Sequence, residues 1–149
     1  MAGIDYYRIA VEVAEILRTA IPNVQVVIEE ELQLAYEAEP RIGVYLESRT
    51  PSSHQGMSAG RRTRMQLRIS IWVWCSSLER VSAIQRRDEL IGRVETVLME
   101  NRTLRTPEGE DLVEGLWLGG GDLPSGQLPS QGFIAGGEVI AIAELSSEV

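Results

Sequence analysis

Lysine is missing: all 14 basic residues of this 149-residue chain are arginine. That absence excludes Schiff-base chemistry, a P-loop lysine and a lysine general base. It leaves a cation whose planar, forked guanidinium suits bidentate contacts at protein interfaces. Cysteine and histidine occur once each, as Cys75 and His54. A lone cysteine excludes an internal disulfide, and one of each cannot supply the ligands of an ordinary zinc site. No apolar run approaches the ~20 residues needed to cross a bilayer, and the N-terminus lacks a basic-then-apolar signal pattern. The expectation is a soluble product that stays in the cell where it is made, with no membrane partner and no cofactor. Net positive charge is also lacking. At −8 the chain is poorly suited to gripping nucleic acid, whose affinity comes from neutralising phosphates.

What is present starts with one long strand. From Arg64 to Ser76, Met65, Leu67, Ile69, Ile71, Val73 and Cys75 alternate with Gln66, Arg68, Ser70, Trp72 and Trp74. Period-two alternation sends successive side chains to opposite faces of a pleated backbone. One face is a continuous apolar row; the other begins cationic and ends aromatic.

The remaining elements arrange themselves around it. Asp5 to about Ala20 reads as a helix with a narrow polar stripe of Asp5, Arg8, Glu12, Glu15 and Thr19, Arg8 and Glu12 being spaced for an i,i+4 contact. Its apolar arc, from Tyr6 and Tyr7 to Leu17, is wider than one sheet face needs. Val24–Glu29 and Ile42–Ser48 read as strands, with the acidic run Glu29–Glu31 as a solvated stretch between them. A polar loop from Arg49 to Arg62 carries His54, which has no nearby group to orient it as a base. Ser76 to about Asn101 reads as a second helix, opened by a Ser76/Glu79 capping box, buried along Val81, Ile84, Ile91, Val94 and Leu98, and paired at Glu89/Arg93. Asp88 and Gly92 form a notch in that stripe, expected to be a close packing point. Leu116–Leu118 is a short strand and Glu138–Leu145 a last one, separated by a Gly/Pro/Ser-rich stretch. The fold expected is α+β: a single domain over 1–149, with an antiparallel or mixed sheet of four to five strands packed on two main helices. A chain this long buries roughly two thirds of its unfolded surface, enough for a core without staples.

Candidate chemistry is sparse. Gly119-Gly120-Gly121 lacks the Lys-Ser/Thr of a phosphate loop and reads as a loop that adapts to a neighbouring surface. Cys75 closes the apolar row and reads as a buried thiol. No nucleophile–base set is visible, so an enzyme is not expected. Arg64, Arg68, Trp72 and Trp74 share one strand face, and such residues either stack single-stranded bases or anchor protein interfaces. The acidic net charge favours protein. A third outcome would have the C-terminal segment cover the tryptophans.

Ile42-Gly-Val-Tyr-Leu-Glu-Ser-Arg-Thr-Pro51, the run from Arg62 into Ser77-Leu-Glu-Arg80, Arg87-Asp-Glu-Leu90 and Leu98-Met-Glu-Asn-Arg-Thr103 resemble the phage tail-terminator (tail-completion) family. The order of elements resembles it over nearly the whole chain. The resemblance implies a non-enzymatic virion protein at the head-proximal end of the tail, assembled in the host cytoplasm. It implies a hexameric ring that caps the tail tube, stops its polymerisation and offers the docking surface for the head or neck. Its partners would be copies of itself, the tube protein and a neck protein, with DNA passing an acidic lumen unbound. The residues expected at subunit or partner contacts are Arg49, Arg61, Arg62, Arg64, Arg68, Trp72, Trp74, Gly119, Gly120 and Gly121. Two other readings stay open: a neck or head-completion ring, and a single-stranded nucleic-acid-binding domain.

Overall fold

The structure, a computed structural model, describes residues 4–31, 40–51, 62–129 and 131–148. Its elements are α1 (Tyr6–Ala20), β1 (Gln25–Ile28), β2 (Arg41–Pro51), β3 (Arg62–Ser77), α2 (Arg80–Glu100), β4 (Gly115–Leu118), β5 (Ser125–Gln127) and β6 (Phe133–Glu148). The fold is α+β, with one mixed sheet of six strands rather than four to five. The order is β1-β2-β3-β6-β4, and β5 also pairs with β6. β1 and β2 are parallel and every other pair is antiparallel. A parallel pair cannot be joined by a tight turn. Residues 29–40 make that connection.

The alternation of the central strand is realised in full. Leu67, Ile69, Ile71, Val73 and Cys75 point to one face and are buried, as are Val139, Ala141, Ala143 and Leu145 of β6 and Ile42 and Val44 of β2. Both helices lie on this inner face. α1 covers β1 and β2, while α2 crosses β3 and β6 and touches α1. Ile9, Val13 and Leu17 meet Leu90, Val94 and Leu98 in one continuous core. Each fully buried Leu, Ile or Val contributes roughly 1.5–3 kcal/mol relative to exposure. Gly137 of β6 leaves room for α2 where it crosses, since a Cβ there would strike Ile91.

Local departures have physical causes. β3 continues to Ser77, still paired with Phe133, so Ser76 cannot open a helix. α2 therefore starts at Arg80 with Glu79 as its cap residue in extended conformation, and the Ser76/Glu79 capping box does not form. Val81 is consequently 63% exposed, and the buried stripe runs Ala83, Arg87, Leu90, Val94, Val97 and Leu98, with Ile84 and Ile91 half-buried. The expected packing point at Asp88 and Gly92 is also absent: Asp88 is exposed, and a Cβ added at Gly92 would meet open space. The buried polar group there is Arg87, which bonds Asp88 Oδ1 at 2.8 Å and the Gly136 carbonyl at 3.2 Å. Arg8 reaches Glu110 at 2.7 Å instead of Glu12, and Glu89 and Arg93 line one surface cleft without forming an ion pair.

β2 contains a bulge: the register shifts between Leu46 and Ser48. An extra residue in one strand reverses which face later side chains occupy. The Glu29 carboxylate accepts the Leu46 N–H at 2.6 Å, and Tyr45 donates to the Glu30 carbonyl at 2.6 Å. Part of the acidic run is thus structural, tying the residues after β1 to the bulge.

Candidate protein-contact face

The outer face of the sheet has no helix on it among the described residues. Its centre is aromatic. Trp72 and Trp74 stack with ring centroids 5.6 Å apart and planes 12° apart. The stack needs small neighbours. Gly136, in register with Trp74, lies under the indole ring, and Gly43, in register with Trp72, leaves room for the folded-over ring of Tyr45. A Cβ at either glycine would collide with those rings. The C-terminal strand β6 runs beside the tryptophans in the sheet, not over them. Trp117 of β4, in register with Ile142, extends the same face and is 37% exposed.

The polar groups of this face are largely committed to one another. Arg64 meets Glu114 at 2.8 Å and Glu144 at 3.1 Å, and Arg68 meets Glu47 at 3.0 Å. Ser70, only 4% exposed, donates to Glu138 at 2.5 Å. Tyr45, Glu47, Arg68, Ser70, Trp72, Asp122 and Glu138 line an open groove of about 580 Å³. Burial, then the charges of Glu29, Glu30 and Glu31, push the Tyr45 hydroxyl above its ordinary pKa. Arg41, in register with Trp74, has no partner for its guanidinium among the described residues, and its Nε, like that of Arg64, is enclosed without a hydrogen bond.

Of the residues expected at contacts, Arg64, Arg68, Trp72 and Trp74 do share this face. Arg49 does not: beyond the β2 bulge it is in register with Leu67, on the helix side, and lies 5.5 Å over the Tyr6 ring of α1. Arg62 begins β3, in register with Glu148. Arg61 and His54 lie outside the described residues, as do residues 52–61 of the expected loop; β2 and β3 take up its two ends.

Gly119–Gly121 is not a free loop. Gly119 N–H bonds the Ile140 carbonyl, but Ile140 N–H bonds the carbonyl of Gly120, one residue further on. The ladder then continues in the shifted register, Glu138 N–H to Asp122 and Gly136 N–H to Pro124, into β5. Residues 115–127 therefore form one edge ribbon on β6, bent by a bulge at the glycines. Gly120 sits at φ 90° and Gly121 at φ 149°, and a Cβ on Gly121 would strike the Glu138 carbonyl. Only glycine fits there.

At each sheet edge an arginine occupies one backbone carbonyl. Arg18 of α1 donates to the Val26 carbonyl on β1 at 2.9 Å, and Arg102 donates to the Leu116 carbonyl on β4 at 3.1 Å. An edge whose carbonyls are occupied is a poor template for strand addition. Arg41, Tyr45 and Trp117 escaped the sequence reading, because their place beside the tryptophans depends on strand register. The alternation of Arg41, Gly43 and Tyr45 against Ile42 and Val44 was the available signal.

No protein-family model matches this chain, and no curated protein matches its sequence.

Proposed function

We propose that the protein is a non-enzymatic structural component of a phage tail: copies form a ring that caps the tail tube, ends its polymerisation and presents the surface on which the head or neck docks. The observation that carries this reading is the uncovered sheet face. Tyr45, Trp72 and Trp74, each half-buried, and Trp117, 37% exposed, form an aromatic row on a face that no helix covers among the described residues. Tryptophan and arginine are the residue types most enriched at the energetic centres of protein interfaces. An α1 on which Tyr7 is 58% exposed fits the same picture of contacts made by faces. The likeness of the segments named above to tail terminators supplies the specific place in the virion.

The paired state of Arg64 and Arg68 weighs against single-stranded nucleic acid. Each is held by a carboxylate at 2.8–3.1 Å, and Asp122 and Glu138 line the groove beside them. A phosphate backbone would have to displace those carboxylates.

The test is to delete the gene product from its phage and image the particles. Overlong or headless tails are the expected result, whereas normal tails with emptied heads would replace the terminator reading with a neck protein. In solution, purified protein should assemble into rings and cap tail tubes on mixing. A persistent monomer that caps nothing sinks the reading.

A further inference from the structure

The groove on the outer face holds more negative charge than the subunit neutralises. Glu47, Asp122 and Glu138 line it, and Arg68 is the one cation among its lining residues. Three carboxylates against one guanidinium leave two negative charges. Arg68 is held by Glu47 at 3.0 Å, while Glu138 accepts the hydroxyl of Ser70, a neutral donor. Asp122 forms no ion pair among the described residues, and its backbone carbonyl takes the Glu138 N–H, which sets the two side by side. Glu138 is in register with Trp72, whose ring is fixed by its stack on Trp74. Tyr45, also in the lining, feels Glu29, Glu30 and Glu31, so the field stays negative past the groove itself. Aromatic faces and carboxylates attract the same ligand, a cation.

The chain's own cations do not supply it. Arg41 is in register with Trp74 and does not line the groove. Outside the described residues the basic side chains are His54 and Arg61. Arg61 adjoins Arg62, ten residues from Trp72 along β3 and so roughly 30 Å away at the rise of a strand. His54 is three residues from Pro51, which is in register with Met65. Three residues span roughly 10 Å, and Met65 is roughly 20 Å from Trp72 along the strand.

We propose that this groove is the docking site for a basic segment of a different protein, which places an arginine or lysine side chain against the Trp72 ring and between Asp122 and Glu138. A chain segment suits the site better than a small cation does. Pockets for small ligands enclose most of the ligand's surface, whereas this groove lies open on a sheet, and Trp74 and Trp117 continue its aromatic surface beyond the carboxylates. A second copy is the poorer occupant. The chain carries a net charge of −8, and most of its described arginines already bond carboxylates or carbonyls of their own subunit. The assignment deepens the docking half of the reading above, on which it rests for the partner being a protein.

The experiment is calorimetric titration of the full chain, with tryptophan emission followed in parallel. The probe is a capped decapeptide of serine and leucine carrying two arginines, and its twin carries citrulline, a neutral isostere, in their place. The arginine peptide should shift the emission, and the citrulline twin should bind at least roughly ten-fold more weakly. The double variant Asp122→Asn/Glu138→Gln should lose a similar factor for the arginine peptide and nothing for its twin. Glu12→Gln/Glu108→Gln, which removes the same charge on the helix side, should bind as wild type does. Far-UV circular dichroism checks folding. If the groove variant does not fold, Asp122→Asn alone replaces it, with a smaller loss expected. Equal binding of the two peptides, or equal losses in the two double variants, overturns the site, since attraction would then be unspecific. Arginine amide binding as tightly as the peptide makes it a small-cation site and overturns the docking assignment. Wild-type self-association that disappears in Asp122→Asn/Glu138→Gln makes a second copy the occupant and overturns it as well. Rings that cap tail tubes yet ignore the arginine peptide remove the groove assignment and leave the tail reading. Selective peptide binding by a chain that forms no rings and caps nothing does the reverse.

Discussion

The two faces of β3 are made from the same backbone and do opposite work. On the inner face Leu67, Ile69, Ile71, Val73 and Cys75 lose nearly all contact with water against two helices. On the outer face Arg64, Gln66, Arg68, Trp72 and Trp74 stay half-buried, their charges paired within the subunit and their rings stacked on each other. The inner face has its partner already. The outer face carries no helix among the described residues, and its Arg64 and Arg68 are paired within the subunit. If copies associate as proposed, stability and association are carried by alternate residues of one strand, and substitutions should separate them.

The largest effect on folding is expected from the inner row. Ile71→Ala opens a cavity at a fully buried position, at a cost of about 2–5 kcal/mol read from chemical denaturation. Trp72→Ala, one residue away, should weaken self-association far more than it weakens the monomer. If Trp72→Ala and Ile71→Ala lower the unfolding midpoint equally and assembly is untouched, the division between faces is wrong.

Next comes Gly121→Ala. The alanine must adopt a strained backbone and push away the Glu138 carbonyl, so a loss of about 1–3 kcal/mol is expected. Gly92→Ala is the control. That glycine faces open space inside α2, and alanine there should stabilise by up to about 1 kcal/mol. Equal effects at the two glycines would show that the bulge does not depend on its residue.

Much of this division was legible before any coordinates. The alternation of β3 named the inner row residue by residue, and the final strand was placed by its own run from Glu138 to Leu145. What escaped was set by single residues that break a pattern. Arg49 was expected to open a polar loop and to reach a partner, but β2 runs on through it and the bulge at Leu46–Ser48 turns it to the helix side. The Ser76/Glu79 spacing suited a capping box, but pairing with β6 kept Ser76 and Ser77 in a strand, and tertiary hydrogen bonds outweighed the local signal. The glycines read as an adaptable loop because their partner, the edge of β6, lies too far along the sequence for composition to reveal. For the same reason Arg41 was missed: its place beside Trp74 is set by strand register.

The edges give a smaller and different effect. Arg102→Ala frees the Leu116 carbonyl and should change monomer stability by no more than about 1 kcal/mol, the usual worth of one hydrogen bond. Its visible consequence should be slow, salt-tolerant aggregation through the opened edge, followed by light scattering. Arg18→Ala should do the same at β1.

The least effect is expected at Cys75, and only in alkali. Burial raises its thiol from 9.0 to about 11, an effect that the charges of Arg86 and Arg87 partly oppose. The folded state therefore keeps its proton between pH 9 and 11, where the unfolded chain has lost it. Stability contributed by the neutral thiol is complete below pH 9 and falls as the pH rises through 11. Cys75→Ala should flatten that decline when unfolding is followed from pH 8 to 11, while leaving a small cavity cost at all pH values. In the wild type, alkylation of Cys75 near pH 8 should be slow, because the thiolate is the reactive form and the side chain is 2% exposed. Rapid labelling under those conditions would mean that the end of β3 opens readily, and the inner face would then be less closed than its burial implies.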